Sequence, residues 1–313
     1  MSLDLLTHPF LTCSEALAFE KALLGGDEEA EWQAMTRAGE GVADFFLRDM
    51  RELRSIPQGP RFLALVGKGH NGGDALVVMR RLMKSIPTIR GCLWPIEPWD
   101  VCRPNVRRAL EELRELASKR LTEIEPASTL ETRDRMEAAL EKACAGRGFT
   151  GCVDGLLGMQ CKPPVREPAA GVIEIVNGRS DLGVRMAVDL PSGVGDESDV
   201  APFRADFTYA TGIAKSPLLD PANTEAVGRI RYVDVGFFDD SLQPEAPSRH
   251  EEILPGNAIR VLRKLRSPHC DKRDFGHLFL LAGSRTYPGA ALMAAKAAAR
   301  SGVGLLTVFA PES

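Results

Sequence analysis

The stretch Arg61–Leu82, RFLALVGKGHNGGDALVVMRRL, decides the fold. Phe62 to Val66 is an unbroken apolar run that stops at Gly67, the pattern of a strand buried on both faces. Glycines and short polar residues follow, and apolar residues return at helical spacing from about Asp74 to Lys84. A further apolar run, Ile89 to Leu93, completes a strand–helix–strand unit. The first N–H groups of a helix have no intrahelical partner, and glycines let a ligand approach the backbone. A glycine turn placed between strand and helix therefore predicts a cradle for phosphate or another anion. Asn71 and Asp74 put oxygens into the same turn. A carboxylate does not suit a site that holds phosphate alone. The turn points to a ligand that carries phosphate together with a group to be polarised or deprotonated, and a cation would reconcile the two charges.

Outward from this unit the same pattern repeats. Residues 14–54 read as two helices, the second with an apolar stripe of Trp32, Met35, Ala38, Val42, Phe45 and Phe46. Residues 104–145 are charged and helical in period, with a short strand at Leu121–Ile124. Strands are expected at Gly151–Leu157, Arg185–Asp189, Phe207–Thr211 and Ile230–Val235, and helix or loop at Val172–Asn177. Alternation of strand and helix predicts an α/β fold, a Rossmann-like three-layer sandwich with a mostly parallel central sheet. Residues 1–238 form this domain. The acidic, Pro- and Ser-bearing stretch 239–257 reads as a linker. After it, Gly276–Ser284, an alanine-rich helix from Ala290 to Ser301 and Leu305–Phe309 make a new strand–helix–strand unit. Residues 258–313 are expected to be the truncated start of a second domain, the alternative being that these strands extend the first sheet.

Composition excludes several classes. With 39 basic and 43 acidic residues the net charge is −4, which gives no reason to expect nucleic acid or an anionic membrane as partner. Aromatic residues make up 6% of the chain, too few for stacking platforms. The seven cysteines are scattered, odd in number and without CxxC spacing, and read as reduced thiols of a cytoplasmic protein. No segment approaches 18 apolar residues, and the N-terminus has no signal-like pattern.

In an open parallel sheet the ligand crevice lies beyond the strand C-termini. Asn71, Asp74, Asp154, Asp189 and Ser192 all fall there. VDGLLG and VDLPSG each place an aspartate after a buried-looking valine and follow it with a glycine-bearing turn. Amide, carboxylate and hydroxyl oxygens of Asn71, Asp154 and Ser192 suit a hard cation rather than zinc, and their low charge favours a large monovalent ion over magnesium. His70 reads equally as a turn residue in left-handed geometry or as a substrate contact. GKGHNGGD is neither a GxGxxG fingerprint nor a Walker A motif. That leaves little for hydride transfer, phosphoryl transfer or a methyl-donor site.

Four ordered blocks carry a resemblance: Met35–Glu40 (MTRAGE), Gly67–Asp74 (GKGHNGGD), Val153–Gly158 (VDGLLG) and Val188–Gly193 (VDLPSG). With Thr211–Leu219 and Val233–Gly236 they make residues 12–238 similar to the NAD(P)H-hydrate epimerase family. Residues 275–311 resemble the opening of an ADP/ATP-dependent NAD(P)H-hydrate dehydratase domain, often fused behind the epimerase. The resemblance implies an isomerase of nicotinamide nucleotide repair, exchanging the R and S forms of hydrated NADH or NADPH within a bifunctional epimerase and dehydratase. Dehydratase activity is not expected from this chain alone.

The resemblance also implies one bound K+ held by Asn71, Asp154 and Ser192. It implies substrate contacts from His70, Asn71, Gly72, Gly73 and Asp74, from Gly158, Met159, Gln160, Cys161, Lys162, Pro163 and Pro164, and from Asp189. A homodimer or higher homo-oligomer is compatible with it. Asp189, at a strand end before the stiffening Pro191, is the expected catalytic proton-handling carboxylate. This chain departs from the family pattern at His70, Ala75 and Pro217. Those departures motivate the alternative of a non-catalytic nucleotide-binding or adaptor module of the same fold.

Overall fold

The computed structural model describes residues 6–53, 56–238, 251–256, 258 and 267–311. In chain order the elements are β1 (His8–Leu11), α1 (Cys13–Leu24), α2 (Glu28–Leu53), β2 (Arg61–Val66), α3 (His70–Ser85), β3 (Arg90–Pro95) and α4 (Pro104–Ala117). They continue with β4 (Leu121–Glu123), α5 (Arg133–Cys144), β5 (Gly151–Gly155), α6 (Ala169–Gly178), β6 (Val184–Val188), β7 (Phe207–Thr211) and β8 (Ala214–Lys215). The remainder are α7 (Thr224–Val227), β9 (Arg229–Val233), β10 (Glu252–Ile253), β11 (His277–Leu281), α8 (Pro288–Arg300) and β12 (Leu305–Phe309). The chain divides into two compact units, Met1–Ala258 and Ile259–Ser313.

The first unit is built on a seven-stranded sheet in the order β4-β3-β2-β5-β6-β7-β9, and every pair in it is parallel. The apolar stripe of α2 (Trp32, Met35, Val42, Phe46, Met50) joins α3 and α4 in the core on one face. Helices α5 and α6 cover the other face through Leu140, Val172, Ile173 and Val176. The result is the expected three-layer sandwich. Residues 104–145 resolve into α4 and α5 separated by the edge strand β4, and Val172–Asn177 lies inside α6.

The strand order reverses at β2. The chain runs outward through β3 and β4, then returns to place β5 on the other side of β2. Such a reversal opens a crevice at the strand C-termini. Here Gly67 N–H donates to Gly155 O at 3.0 Å across its base.

Three short strands, β1, β8 and β10, are not among those the sequence predicts. β1 runs antiparallel to β10 and parallel to β8, with Leu11 opposite Lys215. Strands of two to four residues carry too few side chains for a period-two pattern to show. Of the linker stretch, residues 239–250 and 257 lie outside the described residues. Glu252–Ile253 does not behave as a free linker, since it pairs with β1. In the second unit β11 and β12 pair in parallel with each other, His277 opposite Leu305 through Leu281 opposite Phe309.

Candidate functional site

The helix after the glycine turn starts earlier than the sequence suggests. α3 begins at His70 rather than near Asp74, so His70, Asn71, Gly72 and Gly73 form its first turn. The glycines are there for closeness. A Cβ on Gly72 would lie 1.9 Å from Gly67 O, and one on Gly67 would lie 1.9 Å from Leu156 O. Glycine thus lets the helix start, the end of β2 and the end of β5 meet backbone to backbone. Gly72 N–H and Gly73 N–H already donate to Gly69 O. Gly69 provides no side-chain cap, so the helix presents its N-terminus bare to the crevice.

Asn71, Asp154 and Ser192 come together around the backbone of Leu156 and Leu157. Ser192 donates to Asp154 twice, from Oγ at 2.7 Å and from N–H at 2.8 Å, and Leu156 N–H donates to Asp154 Oδ1 at 3.2 Å. Ser192 Oγ accepts Leu157 N–H at 2.9 Å, and Asn71 Nδ2 donates to Leu157 O at 2.8 Å. Asp154 is fully buried. Burial pushes its carboxyl up to about 6 despite the hydrogen bonds from Ser192 and Leu156. Asn71 Oδ1, also buried, has no hydrogen-bond partner among the described residues. A carboxylate served only by neutral donors beside an orphaned amide oxygen is an arrangement that a cation would complete. The expected K+ ligands therefore fit such an ion on the chemistry of their donor set.

Asp189 stands one residue beyond β6 and is the residue in left-handed geometry here, with φ 67°. His70 is not, being the first residue of α3, so its turn-residue reading is set aside. An aspartate pays a modest strain for such a backbone, and strain of this kind concentrates at functional sites. Asp189 Oδ1 accepts from Lys215 Nζ at 2.6 Å, Thr211 Oγ1 at 3.2 Å and Thr211 N–H at 3.3 Å. Lys215 is fully buried, held in place by the β1–β8 pairing, and lies 3.9 Å from Glu20 Oε1 on α1. Burial works against its charge, but Asp189 and Glu20 outweigh that and its proton affinity rises.

Two more carboxyls feel this pair. Burial, reinforced by Asp189 and Glu20, raises Asp74 well above the usual carboxylate range. Burial raises Glu20 to about 7, with Lys215 opposing and Asp189 and Glu31 adding to the rise. The crevice thus joins Glu20, Asp74 and Asp189 electrostatically around one buried ammonium.

His70 lies at the rim, in contact with Arg103 and 3.8 Å from Glu31. Burial and Arg103 lower its proton affinity. All three line a cavity of about 220 Å³ with Met35 and Asn105. Gly158 lies over Asn71, and Met159 packs against the core, while Gln160 and Lys162 are exposed. Cys161 N–H closes a turn onto Gly158 O. Pro163 follows, and Pro164 does not join the crevice cluster but lines a separate cavity with Asn177, Asp199 and Arg204.

Glu20 and Lys215 are not among the site residues that the sequence suggests. The signal for Glu20 is a carboxylate four residues after Ala16, on the stripe of α1 that buries Cys13, Ala16 and Phe19. The signal for Lys215 is a lone lysine closing the apolar run Gly212–Ala214.

Among the described residues no helix is long and apolar enough to cross a membrane. No His, Cys, Asp and Glu cluster of three or more among them is placed to hold a metal. The family described as YjeF-related protein N-terminus matches residues 31–216, more than half of the chain, and the family described as NAD(P)H-hydrate dehydratase matches residues 278–313.

The bifunctional NAD(P)H-hydrate repair enzyme Nnr of Gloeobacter violaceus is 33% identical over 262 residues, covering 81% of this chain and 47% of its own length. Its namesake in Hyperthermus butylicus is 30% identical over 298 residues, 91% of this chain and 49% of its own. That of Salinibacter ruber is 28% identical over 322 residues, 99% of this chain and 56% of its own. The chain spans about half the length of the curated relatives it matches. The crystal structure of yeast ynu0 superposes with a TM-score of 0.56 at 18% identity, over 79% of this chain and all of the yeast one, and supports the fold. A parallel sheet reversing at β2, a glycine-tight helix start and the residues 31–216 they occupy carry one conclusion: the chain belongs to the YjeF-related protein N-terminus family.

Proposed function

We propose that this chain exchanges the R and S forms of hydrated NADH and NADPH. The observation that carries the reading is Asp189, held in left-handed geometry at the sheet's C-terminal edge with its carboxylate on the buried ammonium of Lys215. Similarity to relatives named for NAD(P)H-hydrate repair supplies the substrate.

Hydration places a hydroxyl on the ring carbon next to nitrogen. Inversion there requires the hydroxyl to leave as water, taking one proton and leaving a cationic iminium. Water then adds to the opposite face and returns a proton. In its protonated form Asp189 would deliver the first proton, and the carboxylate left behind would accept the second from the adding water, which restores the acid. Thr211 and Lys215 orient that carboxyl from the side of β7 and β8. The Lys215 ammonium is balanced by the Asp189 carboxylate beside it, so the pair opposes a transient cation with no net positive charge. The bare N-terminus of α3 would hold the pyrophosphate.

Potassium fits the same reading, held by Asn71, Asp154 and Ser192, where it would supply positive charge beside the glycine turn. The orphaned Asn71 Oδ1 supports it. We assign ATP- or ADP-dependent dehydration to no residue of this chain.

The test is epimer exchange of a resolved hydrated NADH, followed by chiral separation. Wild type should scramble the epimer, and Asp189→Asn should not, with an unchanged far-UV spectrum. Near-normal exchange by Asp189→Asn would remove Asp189 from this role. Tight binding with no exchange by wild type would instead favour a non-catalytic nucleotide-binding module.

A further inference from the structure

Glu20 is left unused by that reading, yet it faces the group on which the reading turns. The single ammonium of Lys215 lies 2.6 Å from Asp189 Oδ1 and 3.9 Å from Glu20 Oε1. It also donates to Thr211 O at 3.3 Å. Lys215 is fully buried, and its backbone is paired opposite Leu11. Among the described residues, the remaining charged and titratable groups around Glu20 and this pair are Glu31 on α2, Asp74 on α3, and Cys13, whose thiol burial lifts to about 12. Asp196, which accepts the Cys13 N–H at 2.7 Å, is the next charge outward. With every carboxyl ionised, Glu20, Asp74 and Asp189 would face one cation, so the cluster retains a proton.

We propose that Glu20 is a positioning residue for epimer exchange: it shares the Lys215 ammonium with Asp189, and its protonation state decides how strongly Asp189 holds the proton in transit. This rests on the reading of Asp189 as the proton carrier. With Glu20 neutral, the ammonium belongs to Asp189, which is then a weak base. With Glu20 ionised, the ammonium is divided and a second negative charge stands nearby, so Asp189 becomes a stronger base. Glu20 is lifted to about 7 by burial, which puts the change near neutrality.

The test follows kcat and KM for epimer exchange between about pH 5.5 and 8.5, in wild type, Glu20→Gln and Glu20→Asp. In wild type kcat should rise through neutrality by up to about tenfold, the effect of a one-unit change in the base's proton affinity. Glu20→Gln should stay on the low plateau at all pH with KM unchanged, and Glu20→Asp should restore the rise at a displaced pH.

Independently of turnover, the Lys215 ¹⁵Nζ resonance should titrate over the same interval in wild type and not in Glu20→Gln. A wild-type pH profile in Glu20→Gln, or an unchanged Lys215 titration in that variant, would overturn the proposal. A Lys215 resonance that follows Glu20 in a wild type with no exchange at any pH would leave this coupling standing and overturn the epimerase reading instead.

Discussion

Replacing Lys215 by methionine removes the charge on which the crevice is balanced and leaves nearly the same volume. In wild type Lys215 is fully buried and Asp189 is 13% exposed, so their ion pair is largely screened from water. Without the ammonium, the Asp189 carboxylate keeps, among the described residues, only the Thr211 hydroxyl at 3.2 Å and N–H at 3.3 Å as donors, while Glu20 and Asp74 repel it. Removing one member of a buried pair costs about 3–5 kcal/mol. The Thr211 donors and the partial exposure place Lys215→Met at the lower end, about 3 kcal/mol at pH 8.

The cost depends on pH with a definite sign. In the variant the folded state raises the proton affinity of the carboxyl cluster above its unfolded value. The folded protein then binds more protons than the unfolded chain, and stability is lost as pH rises through the carboxylate range toward neutrality. Lys215→Met should therefore cost about 1 kcal/mol at pH 5, where protons take the place of the ammonium. Urea unfolding at pH 5, 6.5 and 8 measures this. Adding Asp189→Asn to Lys215→Met should recover at least half of the loss at pH 8, because no unpaired charge then remains beside Thr211. A loss below about 1 kcal/mol at pH 8, or one equal at pH 5 and 8, would refute the placement of an ionised cluster around Lys215.

Other perturbations read other parts of the site. Gly72→Ala places a methyl group 1.9 Å from a backbone oxygen and should cost about 3 kcal/mol, whereas Gly69→Ala, with nothing within 4 Å, should be nearly silent in the same melts. Equal losses at both positions would mean the helix start is not packed as described. Asp49, 2% exposed, accepts from Tyr209 Oη at 3.0 Å and Arg231 Nε at 3.1 Å, so Asp49→Ala should destabilise by about 3 kcal/mol without changing KM for the hydrated nucleotide. Wild type should melt higher in potassium chloride than in choline chloride at equal ionic strength, by about 2.7 kcal/mol when the ion is at a hundred times its Kd. Asp154→Asn should abolish that difference, and a wild type indifferent to the salt would remove potassium from Asn71, Asp154 and Ser192.

Much of this was legible along the chain because it is written in short-range chemistry. Apolar runs such as Phe62–Val66 and Gly151–Val153, alternating with helical periods, are enough to determine a parallel three-layer sandwich, since such strands must be covered on both faces. Aspartates and glycines after those runs located the crevice, because parallel strands all end on one side.

Other features were not legible, for reasons of distance and geometry. That α3 begins at His70 depends on Gly67 and Gly72 meeting backbone to backbone, which no local preference encodes. That Asp189 takes left-handed geometry, and that its partner is a lysine 26 positions later on a two-residue strand, depends on the β1–β8 pairing. Glu20, 169 residues before Asp189, reaches the same ammonium only once α1 is laid against that strand. The sequence by itself determined which residues have the chemistry and on which edge of the sheet they stand. The tertiary structure decided which of them share one buried charge, because charge coupling depends on separation and burial in space, and neither is a property of neighbours along the chain.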